Sequence, residues 1–191
     1  MTRSKIPTWL VAAWDTSALL ALKAWDRIAH VIPWRSSKPS KSPSFLRSTR
    51  TSHLLNLRPV QQLTSFSCTA GCLQSLHLYF TGQRLSHLRA IELLRCKPHG
   101  APLIKIAAAM KRRVRCRSRQ LKSAQQLRSA LKRGSPIIAS DEVSYDDGHA
   151  ILVVGYSAQG FWTIDPAVGR LRWRTSKRLL ASSDAFIAVE R

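Results

Sequence analysis

Apolar residues recur at three- and four-residue intervals through Trp14, Ala18, Leu22, Trp25, Ile28 and Ile32, so residues 1–34 are expected to form an amphipathic helix with a tryptophan-rich stripe. The pattern then stops. Residues 35–58 are rich in serine, proline and basic residues and contain no acidic residue, which reads as a linker. A compact domain is expected over 59–191. In its first half the spacing is helical: "SCTAGCLQSLHLYFTG" predicts a helix with Ser67 as N-cap and Gly82 past its end, followed by helices in "LSHLRAIELLR", "APLIKIAAAMKRR" and "SAQQLRSALKRG". The second half reads as strands, in "PIIAS", "HAILVVGY", "GFWTIDP", "RLRWRT" and "AFIAVE". Helices first and antiparallel strands second predict an α+β domain.

With 191 residues and 45% hydrophobic composition, the chain has material for one ordinary core and a tail. Its formal net charge of +21 points toward nucleic acid, an anionic membrane surface or an acidic peptide. The densest basic run, "KRRVRCRSRQLK", has no interleaved aromatic residue for base stacking and no nucleic-acid recognition motif accompanies it, which argues against nucleic acid. A solvated helix end and an edge strand kept from pairing by its cations, or a surface for an acidic peptide, accounts for it better. Near the N-terminus, Asp15, Lys23, Asp26 and Arg27 interrupt the apolar run, so a signal peptide or membrane span is not expected. That helix either packs on its own domain or docks on a membrane surface or a protein partner. The expected location is cytoplasmic, with peripheral membrane attachment as the variant.

Four cysteines, Cys68, Cys72, Cys96 and Cys116, are too few and too irregular for a disulfide scaffold, and no second pair completes a zinc site. No metal or cofactor is expected. Cys68 is different in kind, because it follows the N-cap serine and places its sulfur at the positive end of a helix, where a thiolate is favoured. Cys72, one turn deeper, is expected to pack. Among the six histidines, His149 stands after a glycine at the start of an apolar strand, where a side chain can face a cleft. The hairpin "HAILVVGYSAQGFWTIDPAVG" has its midpoint near residue 157, which sets Asp165 nearly opposite His149 and on the same face. Asp165 can then orient the imidazole. Gln62, six residues before Cys68, can bring an amide NH2 back over the helix end, beside the Cys68 backbone N–H, as a donor to an oxyanion.

These motifs together resemble the papain-like peptidases that cleave double-glycine leaders from bacteriocins and related peptides, often as the N-terminal domain of ABC exporters. The likeness covers residues 59–191. It rests on "QLTSFSC", the second cysteine four residues on, "GHAILVVGY", "TIDPAVG" sixteen residues beyond the histidine, and the late "TSKRLL". The resemblance implies a papain-like fold, with Cys68 as nucleophile, His149 as base, Asp165 as its orienting aspartate and Gln62 as oxyanion donor. It also implies a cysteine endopeptidase acting on a peptide or leader precursor through a thioester, with an ABC exporter as partner, and the chain's positive charge makes an acidic leader peptide the expected form of that substrate. The family's aspartate-cysteine-glycine is here Ser67, Cys68 and Thr69, so a β-branched side chain takes a place where backbone normally meets substrate; this bears on leader specificity more than on catalysis. With no nucleotide-binding P-loop in the sequence, a stand-alone member is expected. Other thiol amide chemistry, such as deamidation or acyl transfer, and a catalytically silent peptide-binding module are the alternatives.

Overall fold

The computed structural model describes residues 53–114, 116–142, 148–183 and 185–191. The predicted N-terminal helix, residues 35–52 of the predicted linker and Arg115 lie outside the described residues.

The elements follow in the order β1 (His53–Leu54), α1 (Cys68–Thr81), α2 (His87–Leu94), α3 (Leu103–Arg113), β2 (Arg117–Leu121), α4 (Ala124–Lys132), β3 (Ile137–Ser140), β4 (Ala150–Tyr156), β5 (Gly160–Asp165), β6 (Arg170–Thr175), α5 (Ser176–Ala181) and β7 (Phe186–Glu190). The α+β expectation holds. The helix ends fall where cap chemistry places them. Gly82 closes α1 at φ +70°, its N–H bonding to the Leu78 carbonyl at 2.8 Å. Ser86 and Ser123 cap α2 and α4 by accepting from the N–H of Arg89 and Gln126 at 3.2 and 3.3 Å.

Ser67 behaves otherwise. It stands at the N-cap of α1 but makes no side-chain cap bond. Its hydroxyl instead accepts from Thr64 N and lies near the Thr64 carbonyl, both at 3.1 Å. The tight turn before the helix has claimed the group that the sequence pattern assigns to the cap.

The domain also begins earlier than residue 59. His53 and Leu54 pair antiparallel with Tyr156 and Gly155 of β4, and Leu55 and Leu57 are buried. A strand of two residues with a short apolar tail leaves too weak a period to be read from the sequence. Residues 53–58 therefore belong to the folded unit rather than to the linker.

The antiparallel sheet runs β2-β7-β3-β4-β5-β6, with β1 on β4. Strands β3, β4 and β5 are almost wholly buried, which suits their β-branched and aromatic residues. The outer strands are arginine-bearing: β2 exposes Arg117 and Arg119, and β6 alternates Arg170, Arg172 and Arg174 with Leu171 and Trp173. Edge arginines oppose sheet-to-sheet pairing, and β2 is the edge strand expected from the basic run. Helices α1, α2 and α3 pack on one another; α1 rests on β4, and α3 on β2, β3 and β7. Leu73 and Leu76 of α1 are fully buried in this layer. Truncating either to alanine would cost about 2–5 kcal/mol. This packing holds the start of α1 against the open ends of β4 and β5.

Candidate active site

Three segments meet at the start of α1. Cys68 is the first residue of the helix, so it lies among backbone N–H groups with no carbonyl one turn back to accept them. Gly71, one turn on, allows the close approach: a Cβ there would stand 3.0 Å from Pro166 Cβ and 3.3 Å from the Val60 carbonyl oxygen. The helix thus seats directly on the Asp165-Pro166 turn. From the same turn, the Pro166 carbonyl accepts from Gln62 N at 2.9 Å, which joins the segment before the helix to the end of β5.

His149 immediately precedes β4. Gly148 before it adopts φ +74°, a left-handed conformation open to glycine, and the His149 carbonyl accepts from Asp141 N at 2.7 Å. The hairpin register differs slightly from expectation. Val153 pairs with Thr163 and Leu152 with Ile164, while a bulge between Val153 and Gly155 shifts the rest of the ladder. The turn centres between Ala158 and Gln159 rather than at residue 157, and the bulge takes back one residue of that shift, so Asp165 falls diagonal to His149, two positions along, rather than directly opposite. The alternation still keeps both side chains on one face. His149 Nε2 lies 2.8 Å from Asp165 Oδ1, with both groups buried. The same ring is hydrogen-bonded to the Cys68 thiol.

The electrostatics are those of a coupled pair. Burial by itself would raise the Cys68 thiol, but the hydrogen bond and charge of His149 and the N–H groups of Ala150 and Thr69 outweigh it and hold the pKa below the ordinary value. For His149, burial would favour the neutral ring, yet hydrogen bonds and charges from Asp165 and Cys68 raise it to about 9. Burial opposes ionisation of Asp165 as well; hydrogen bonds from His149, Arg172 and the Ala167 N–H hold its carboxyl well below the usual range all the same. The favoured state is thiolate, imidazolium and carboxylate in line. Cys72 is fully buried, and that burial, with the negative charges of Cys68 and Asp165, pushes its thiol well up.

Two arginines that the sequence reading passed over complete the surroundings of Asp165. Arg172 Nη1 lies 2.9 Å from Asp165 Oδ2. Arg174, buried, sits 4.0 Å from the same oxygen and 2.6 Å from Asp141 Oδ2. A signal for them existed: β6 is antiparallel to β5 across a four-residue turn, so the alternating arginines of "RLRWRT" fall on the Asp165 face.

Gln62 is close by in the chain path but is turned on its own loop. Its Nε2 donates to the carbonyls of Thr64 and Ser65 at 2.9 and 3.2 Å, and its Oε1 is buried without a hydrogen-bond partner. Those two carbonyls compete for the N–H groups that an oxyanion would use. Thr69 differs from the expectation of a side chain standing in the substrate path: it is 2% exposed, and its hydroxyl lies 3.5 Å from Cys96 Sγ. It faces the protein interior. Among the described residues no group of three or more His, Cys, Asp or Glu is placed to hold a metal, and no helix is long and apolar enough to cross a membrane.

A cysteine at a helix start thus faces a histidine just before one strand and an aspartate at the end of the next, where a helical layer meets an antiparallel sheet. Residues 99–184, a span that carries His149 and Asp165, match the model of the Peptidase_C39 like family. The fold is shared with the peptidase domain of Streptococcus ComA, a bifunctional ABC transporter involved in quorum sensing, at a TM-score of 0.61 and 18% identity over 70% of this chain and 98% of that one. It is also shared with a double glycine motif protease from an AMS/PCAT transporter, solved in complex with its leader peptide, at a TM-score of 0.56 and 15% identity over 74% of this chain and 99% of that one. Among curated proteins no sequence matches the chain.

Proposed function

We propose that the domain cleaves a peptide bond in a leader-bearing precursor, with a glycine pair before the cut, through a Cys68 thioester. The observation that carries this is the buried line from Cys68 to His149 to Asp165 at the start of α1, with its pKa values displaced toward the ion pair. The Cys68 thiolate attacks the carbonyl carbon, forming the S–C bond while the carbonyl π pair moves onto oxygen. That oxygen is held by the Cys68 backbone N–H and by Gln62 Nε2, which exchanges a loop carbonyl for the oxyanion. Collapse breaks the C–N bond, and the His149 imidazolium gives its proton to the leaving amine. The neutral imidazole then takes a proton from water, whose oxygen displaces the sulfur. Asp165 keeps the ring in one tautomer throughout.

The glycine pair is supported by the double glycine motif protease that shares this fold. An acidic leader is supported by the charge: no acidic residue lies between Glu92 and Asp141, and the cations of that stretch include exposed Lys111, Arg112, Arg113, Arg117 and Arg119. The test is mass spectrometry of precursor peptides carrying an acidic leader and a Gly-Gly junction. Cleavage after the second glycine that is abolished by Cys68→Ala and kept by Cys72→Ala is the expected result. A one-dalton shift or an added group without a cut would replace proteolysis by deamidation or acyl transfer, and activity that survives Cys68→Ala would end the assignment.

A further inference from the structure

The turn between Gln62 and Cys68 is held by a histidine that takes no part in the proton transfers above. His87, at the first position of α2, is buried, and its ring contacts both ends of that turn. Its Nδ1 lies 2.6 Å from Gln74 Oε1. Gln74 Nε2 donates to the Leu85 carbonyl at 2.8 Å, so Oε1 is the accepting atom and His87 Nδ1 carries the proton. In the neutral ring Nε2 is then a lone pair. Toward it point the Leu63 backbone N–H at 3.4 Å and the Ser67 hydroxyl at 3.0 Å. Leu63 is the neighbour of Gln62, and Ser67 is the neighbour of Cys68.

We infer that His87 is a positioning residue for the oxyanion side of the site: through Leu63 and Ser67 it sets the distance between the Gln62 amide and the start of α1. This rests on the proposed function, and it explains why Ser67 leaves its helix uncapped. The thiolate itself depends on His149, which approaches from the sheet, so loss of His87 should spare the sulfur's charge and impair only the stabilisation of an oxyanion. Two probes separate these effects. Iodoacetamide needs the thiolate alone. A peptide aldehyde ending in Gly-Gly forms an S–C bond to its carbonyl carbon and places the resulting oxygen where the oxyanion sits.

In His87→Phe, which keeps ring bulk without the acceptor, alkylation of Cys68 at pH 6.5 should stay within about twofold of wild type while aldehyde affinity falls by about ten- to a hundredfold, the scale of a displaced donor. His87→Gln, whose Oε1 can replace the Nε2 lone pair, should recover most of that affinity. In a Gln62→Ala background, His87→Phe should weaken the aldehyde by less than about threefold further, because the group it positions is gone. A full multiplicative loss in that background, an equal loss with both probes, or an unchanged aldehyde affinity in His87→Phe would each overturn the inference. So would a wild type that is alkylated at Cys68 but captures no aldehyde. A wild type in which Cys68 is not alkylated ahead of the other cysteines would instead sink the proposed function itself, and the inference with it. If His87→Phe does not fold, Ser67→Ala, which deletes one of the two contacts, carries the same comparison.

Discussion

Replacing His149 by alanine separates the thiolate from the helix that bears it. Cys68 is buried, and burial alone raises a thiol; what reverses the direction is chiefly the imidazole's hydrogen bond and charge, with smaller help from the Ala150 and Thr69 N–H groups. Without the ring the thiol should return to, or above, the ordinary value of about 8.5. At pH 6.5 such a thiol is about 1% ionised, since two pH units correspond to a hundredfold excess of the neutral form. The more basic thiolate is intrinsically more nucleophilic, with a Brønsted slope of about 0.4–0.5, which offsets part of the deficit at any one pH but leaves the slope with pH untouched. Alkylation of Cys68 by iodoacetamide in His149→Ala should therefore climb about tenfold from pH 6.5 to 7.5 and level off only at about pH 8.5 and above. The wild type, whose sulfur faces an imidazolium held up to about 9, should give a markedly shallower line. Quenched reactions read by peptide mass spectrometry separate the four cysteines, and Cys72, Cys96 and Cys116, all raised first of all by burial, serve as internal references. Parallel lines for the two proteins would show that His149 does not create the thiolate, and the ion-pair argument would fall.

Three further outcomes follow from the same geometry. Asp165 is held below its ordinary pKa, so on acidification the unfolded chain binds the proton first. Its contribution to stability is complete above about pH 5 and is lost as the pH falls, and Asp165→Asn should flatten the wild-type decline in Tm between pH 5 and 3. His149 has the opposite sign: raised to about 9, it contributes fully below about pH 6.5 and loses that contribution as the pH rises through 9, so His149→Ala should flatten the alkaline decline. A variant curve parallel to the wild type in its window would refute either assignment. Gly71→Ala would ordinarily stabilise a helix by about 0.5–1 kcal/mol. Here the new Cβ meets Pro166 at 3.0 Å, so α1 must shift from the Asp165-Pro166 turn. Cys68 alkylation at pH 6.5 should slow several-fold with little gain in Tm, whereas a higher Tm with unchanged alkylation would show that the seating is not tight.

What the sequence determined by itself was largely local. Cap residues and period placed α1, α2, α4 and most strands, because a cap serine or a glycine past a helix end acts within one turn of chain and needs no distant partner. The His149 and Asp165 pairing was also legible, because a tight hairpin makes a contact sixteen residues apart nearly local. The tertiary structure decided whatever depends on competition between partners. Ser67 has the sequence of a cap, but a turn and a buried histidine from α2 bid for the same hydroxyl. Thr69 looks like an obstacle in the substrate path until packing turns it inward toward Cys96. The turn centre beyond residue 157 took Asp165 off the direct register, the bulge after Val153 returned it to the His149 face, and only the assembled sheet brought Arg172 and Arg174 to its carboxylate. A hydroxyl, a carboxylate or an amide can satisfy several neighbours, and the chain's local pattern does not say which neighbour the fold will bring within 3 Å.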